Sequence, residues 1–269
     1  MTQKFLLKDF TWMEFRERIQ ENPVMLIPLG SQEEQGPHAP MGDFMLTEKI
    51  TEKIAQASQA IAAPITPFGY ADYFRPVPGG IQLRPETFRA VLEDICDNFL
   101  SHGLDRILIL NGHSGNYPLI DQSIRKIKME KNVWIPCINL WRLMTPKKWT
   151  EFYGEQAANA FGHGGDPLTS VYLHLFPDLV RMDLVEIGEK KEVLGLSTSG
   201  LNAVKFNGVD VNLAIDIDDI CDSGIAGGNP AVSSAEIGKK IVDYIVDYCV
   251  AFIHHFKTVN TLTKKEAKK

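Results

Sequence analysis

The amino-acid sequence predicts an α/β fold of three layers, a mainly parallel central sheet flanked by helices. Three observations carry that prediction. Short continuous apolar runs recur at Val24–Leu29, Ile61–Ile65 and Arg106–Leu110, and runs of that length suit strands covered on both faces. Helical spacings separate them, and strand-helix alternation favours parallel pairing through crossover helices. Polar, glycine-rich clusters then follow the first and third runs, at the carboxyl ends where an open parallel sheet binds its ligands.

Taken in order, Val24–Leu29 is the first strand and breaks at Gly30. Leu46–Ala55 has helical spacing, and Ile61–Ile65 is the second strand. Pro85-Glu86 opens a helix with apolar positions at Phe88, Val91, Leu92, Ile95, Phe99 and Leu100. His102-Gly103 closes it, so start and stop signals stand in the right order. Arg106–Leu110 follows as a strand, Tyr117–Met129 as a helix and Val133–Ile138 as a further strand. Pro167–Leu175 and Ser233–His255 are helical. Residues Glu192–Gly224 mix β-branched alternation with Gly and Asn, which is read as irregular, a hairpin or a long excursion. The basic stretch Thr261–Lys269 is read as a solvated end.

The whole chain, 1–269, is expected to form one domain. With 44% apolar and 23% charged residues and a net charge of −6, its composition is that of an ordinary globular protein without the basic face of a nucleic-acid binder. The expected partner is a small molecule. Cys96, Cys137, Cys221 and Cys249 are scattered and read as core thiols. The first fifteen residues lack the apolar core of a signal peptide, and no run approaches ~20 apolar residues, so no membrane association and a cytoplasmic location are expected.

The chemistry lies in three clusters. GSQEEQGPHAPMGD at 30–43 follows the first strand, NGHSGN at 111–116 follows the third, and FGHGGD at 161–166 precedes a helix. Each alone could be a hydrogen-bonded turn or helix cap. Together they bring two histidines and at least three carboxylates to the sheet, and carboxylates packed close repel one another unless a cation sits among them. Mixed His/carboxylate sets hold Zn²⁺, Mn²⁺ or Fe²⁺ and leave room for water and substrate. The insertion YADYFR at 70–75 could hydrogen-bond a hydroxylated ring or be a surface loop with one buried aromatic. Trp141, Arg142 and Trp149 are read as core or subunit packing.

These motifs resemble the creatininase (creatinine amidohydrolase) family, whose pattern runs P-x-G-S-x-E-Q-H-G-P-H-L-P-x-x-T-D, F-P-G-T, N-G-H-G-G-N and H-A-G-E-x-E-T-S. Here they read PLGSQEEQGPHAPMGD, VPGG, NGHSGN and HGGDPLTS, with GIAGGNP at 224–230 resembling the family's late turn. The match extends over about residues 20 to 245. The resemblance implies a creatininase-like α/β fold, a metal centre of up to two ions, hydrolysis of C–N bonds in cyclic amides or formamides, and usually a hexamer.

Residue by residue, the resemblance makes Glu33, His113 and Asp166 metal ligands. Gln35 stands where the family has a ligand histidine, and Phe44 where it has the bridging aspartate, leaving the neighbouring Asp43 to substitute. One firmly bound ion is expected, with the second site weakened. His163 matches the histidine of H-A-G-E and is the candidate proton shuttle, with Glu34 as its catalytic companion. Tyr70, Tyr73, Gly80, Ser114 and Asn116 are the candidate substrate contacts.

Leu168 replaces the second Glu of E-x-E-T-S, which points to diverged substrate chemistry. The leading expectation is a metal-dependent hydrolase of a small polar cyclic carbonyl compound, working through metal-activated water. The altered loop also resembles that of relatives in sugar and inositol catabolism, which makes ring-opening C–C hydrolysis of a cyclic polyol ketone such as a dehydro-inosose the alternative. A non-catalytic metal- or sugar-binding protein is the third reading.

Overall fold

A computed structural model describes residues 3–263; of the predicted basic tail, residues 264–269 lie outside the described residues. Strands β1 (Met25–Leu29), β2 (Ile61–Ala62), β3 (Ile107–Asn111) and β4 (Cys137–Asn139) form a sheet in the order β2-β1-β3-β4. Every pairing is parallel, with Met25 opposite Ile107 and Leu29 opposite Asn111.

The alternation along the two central strands divides the core. Leu26, Leu108 and Leu110 face a layer built by α2 (Phe44–Ser58), α7 (Leu168–Leu175) and α9 (Ala235–Phe256). Met25, Ile27, Leu29, Ile107 and Ile109 face α3 (Pro85–Ser101) and α4 (Tyr117–Lys131). Successive side chains point to opposite faces of a strand, so continuous apolar runs were needed to cover both. Pro28 is tolerated in a central strand because its position faces β2, which has already ended at Ala62.

Two strands are shorter than the sequence predicts. β2 ends at Ala62, two residues before Pro64, and β4 starts only after Pro136. Val133 instead bridges to Leu262 near the C-terminus. Short helices α1 (Trp12–Arg18), α5 (Pro146–Tyr153), α6 (Ala157–Ala160) and α8 (Ile217–Ile220) complete the set used below. The uncertain stretch at 192–224 contains an antiparallel hairpin, β5 (Ala203–Phe206) and β6 (Val209–Asn212). Trp141, Met144 and Trp149 pack against the α2/α9 side of the core, so within the chain they serve internal packing. Among the described residues no helix is long and apolar enough to cross a membrane.

Candidate metal centre and active site

The carboxyl ends of β1 and β3 lie side by side, and the loops leaving them meet there. Gly30 follows β1 where α2 begins; a Cβ at this position would collide with Phe44 and with the carboxylate of Asp43. That close approach places Asp43, the N-cap residue of α2, over the end of the strand. The intervening loop is anchored by His38, buried with Nε2 3.0 Å from Thr169 Oγ1, and by Tyr172, whose hydroxyl donates to the Gly42 carbonyl.

From β3 the chain turns at Asn111, whose amide donates to the His113 carbonyl and to Asn139, both at 2.7 Å. This holds His113 against the first loop. Its Nδ1 lies 3.0 Å from Glu33 Oε1 and 3.0 Å from Asp43 Oδ2. The three donor atoms fall within 4.8 Å of one another, and all three residues are buried. Asp43, not the register position Phe44, therefore supplies the carboxylate here.

Supporting bonds fix this cluster. The Ser31 amide donates to Asp43 Oδ1 at 2.8 Å, and its hydroxyl donates to Glu33 Oε2. Gln35 Nε2 donates to Glu33 Oε1 at 2.9 Å. On the far side of the imidazole, Nε2 lies 3.1 Å from both the Tyr70 carbonyl and the Tyr73 hydroxyl. The carbonyl can only accept, so Nε2 donates to it, the outer partner that a metal-ligating histidine has, and Nδ1 is the nitrogen that faces the two carboxylates.

Burial, and then the neighbouring Glu33 charge, push Asp43 up to about 7. At His113 burial opposes charge, but Glu33, Tyr73 and Asp43 outweigh it and move the imidazole well above its ordinary value. Two buried carboxylates call for positive charge beside them, which a protonated His113 or a divalent cation supplies. The donor set suits a borderline divalent cation.

Beside this cluster lies a second pair. Glu34 Oε1 is 2.5 Å from His163 Nε2, while Glu34 Oε2 accepts from the Gly36 amide at 2.6 Å. Gly224, at φ +76°, allows the chain to pass so close to Glu34 that a side chain there would strike the carboxylate. Phe74 stacks on His163 with centroids 4.3 Å apart, as the adjacent Tyr73 stacks on His113 at 6.2 Å. Burial disfavours a charged His163, but Glu34 reverses this and raises it.

Other predicted residues go elsewhere. Asp166 is not among the clustered donors: it accepts from Tyr153 Oη at 2.7 Å, the Ser170 amide at 2.7 Å and Ser170 Oγ at 2.8 Å. The ligand assignment is corrected to a carboxylate bracing the start of α7. Asp166→Asn is accordingly expected to lower stability by about 1–3 kcal/mol in urea denaturation while bound metal stays constant. Asn116 is also corrected, because its amide clamps the Tyr70 amide at 2.8 Å and the Gly30 carbonyl at 3.1 Å and has no free end for substrate. Ser114 is exposed beside His113. Gly80 borders the first loop, where Ile81 bonds the Gln32 carbonyl, and does not reach the donors. Gln35 lies in the cluster as a donor to Glu33. Sequence reasoning did not assign Ser31, Phe74 or Gly224 a role, although each lay in a motif it had singled out: the G-S of the first loop, YADYFR at 70–75 and GIAGGNP at 224–230.

A family model for creatininase, creatinine amidohydrolase, matches residues 8–253. The chain is 26% identical to the creatinine amidohydrolase of Pseudomonas putida, over 69% of this chain and 77% of that enzyme. It is 28% identical to the 3-dehydro-scyllo-inosose hydrolase of Thermotoga maritima, over 70% of this chain but 61% of that enzyme. It is 25% identical to the mycofactocin precursor peptide peptidase of Mycobacterium ulcerans, over 86% of this chain and 84% of that protein. Two solved creatininases, a zinc–zinc form of a mutant and a manganese form, share the fold at TM-score 0.76 and 22% identity, covering 94% of this chain and 98% of theirs. With the family model spanning nearly the whole chain and hydrolases as its relatives, the protein belongs to the creatininase family.

Proposed function

We propose that this protein is a divalent-metal-dependent hydrolase of a small, polar, cyclic carbonyl compound, breaking the C–N bond of a cyclic amide or formamide. The observation that supports it is the joining of two assemblies through adjacent residues. Glu33 and Glu34 hold His113 and His163, and Tyr73 and Phe74 cover the same two rings. Glu33, Asp43 and His113 would hold a Zn²⁺, Mn²⁺ or Fe²⁺ ion, which would supply Lewis acidity for a carbonyl and a water nucleophilic near neutral pH.

The chain's own residues do the remaining work. Ser31 and Gln35 lock the carboxylates, so the ligands need little rearrangement. Glu34 accepts the Nε2 proton of His163, which leaves Nδ1 as the atom that exchanges a proton with the leaving group. Gln35 presents an amide where the family places an imidazole, and that amide is engaged with Glu33. A second ion thus loses a strong ligand.

Protein purified without added metal is expected to contain about one divalent ion per chain by elemental analysis, the stoichiometry of a single three-residue site. Two tightly held ions would show that Gln35 is compensated, and none after metal addition would sink the reading. Substrate class is tested with a panel of creatinine, formamido compounds, lactams, lactones and keto-inositols. The likeness to the dehydro-inosose hydrolase favours a second reading, ring-opening C–C hydrolysis of a cyclic polyol ketone, which turnover of the keto-inositol alone would select. Ligand retention with no turnover of any compound would select the binding-protein reading.

A further inference from the structure

At the amino ends of β1, β2 and β3, away from the metal centre, lies a cavity of about 320 Å³, inside the ~300–1,000 Å³ common for small-molecule sites. Helices α1, α2 and α9 all end there, at Arg18, Gln59 and Lys257. Their carbonyls draw in three cations. Arg18 Nη2 donates to the Gln59 carbonyl at 3.1 Å, Lys257 Nζ to the Ser58 carbonyl at 2.7 Å, and Arg106 Nη1 to the Phe256 and Val259 carbonyls at 3.0 and 2.9 Å.

These bonds leave the cations short of negative charge. Glu21 is the one carboxylate in the lining, and Arg18 holds it. Asp105, outside the lining, accepts from Thr261 Oγ1 at 2.5 Å and Asn22 Nδ2 at 3.5 Å. Among the described residues Arg106 and Lys257 bond backbone carbonyls and no carboxylate. The carboxyl ends of α2 and α9 carry about half a negative charge each, so with Glu21 they offset two of the three cations. One positive charge is left over. Burial, and then the like charge of Arg18, push Lys257 below its ordinary value. Donors are left over as well: Arg18 Nε is buried without a partner, Lys257 has two further N–H groups, and Arg106 uses only Nη1.

We propose that this cavity binds a phosphate group, as inorganic phosphate or a small phosphate ester, at a site separate from the metal centre. Arg106 offers a planar fork to two oxygens and Lys257 a point charge to a third. A carboxylate, with two oxygens, would leave one of these cations unmet. The hydrolase reading plays no part in this inference.

Thermal melting in graded inorganic phosphate, at an ionic strength held constant with chloride, tests this on metal-loaded protein and on protein stripped with a chelator and dialysed. A ligand that binds only the folded state stabilises it, so the melting temperature is expected to rise and level off equally in both preparations. Acetate should give no such rise. Glycerol 3-phosphate separates the two sources: an equal effect identifies the phosphate group alone, a larger one an ester. Lys257→Gln should raise the half-saturating phosphate concentration about tenfold or more, the loss of a charge-assisted bond. Gln59→Glu gives the cavity a carboxylate of its own, and should raise the melting temperature in chloride while removing the response to phosphate. A flat response of the wild type at fixed ionic strength, a response confined to metal-loaded protein, an equal response to acetate, or a response unchanged in both variants would overturn the proposal.

Discussion

His113→Ala is expected to empty the metal centre. The imidazole is the one nitrogen ligand in the cluster and lies 3.0 Å from both Glu33 and Asp43. Without it two buried carboxylates face one another, and Asp43, already pushed up to about 7 by burial and Glu33, loses the partner that opposes that shift. Loss of an outer partner of a metal ligand typically costs 10–100-fold in affinity or activity, so loss of the ligand itself should exceed about 100-fold in both. Equilibrium dialysis against graded free Zn²⁺ or Mn²⁺, with turnover measured alongside, checks this. Wild-type metal content in the variant would show that His113 is not a ligand.

The second large effect separates chemistry from metal binding. His163→Ala should reduce kcat by about 10²–10⁴-fold, the range for a lost proton-transfer group, with metal content unchanged. Glu34→Gln should act more mildly and move the pH profile. Glu34 raises His163 against the opposing effect of burial, so removing its charge lowers that pKa. A rate limb that rises as His163 loses its proton therefore begins at lower pH in the variant. An unmoved limb in kcat/KM against pH would exclude His163 as its origin.

The sheet was legible because β1 and β3 are buried on both faces and so appear as unbroken apolar runs, and α3 and α9 because their stripes are long. Prolines told against the outer strands: Pro64 and Pro136 sit inside runs whose composition alone looks extended. The segment 192–224 was opaque for another reason. β6 is exposed along its whole length, so it has no one-sided pattern to read.

In the site, ligand types could be read but their satisfaction could not. Asp166 and Asn116 look like chemistry in the sequence and are structural clamps, because their partners Tyr153 and Gly30 are remote in the chain. Asp43 shows the converse, an offset that the family pattern flagged as a defect and that the approach of α2 to Gly30 makes workable.

That approach also determines whether the active-site loop tolerates changes in length. Glu33 and Glu34 are positioned from the strand side, through Ser31 and Gly36, whereas Asp43 is positioned from the helix side as the first residue of α2's cap. A deletion between Gly36 and Asp43 would pull on both ends, because His38 is held at Thr169 and Arg181 and the Gly42 carbonyl accepts from Tyr172. A deletion between Gly30 and Glu34 would shift Glu33 and Glu34 against the two histidines. Changes in length that preserve function should therefore be purged from the whole of this loop and fall outside it.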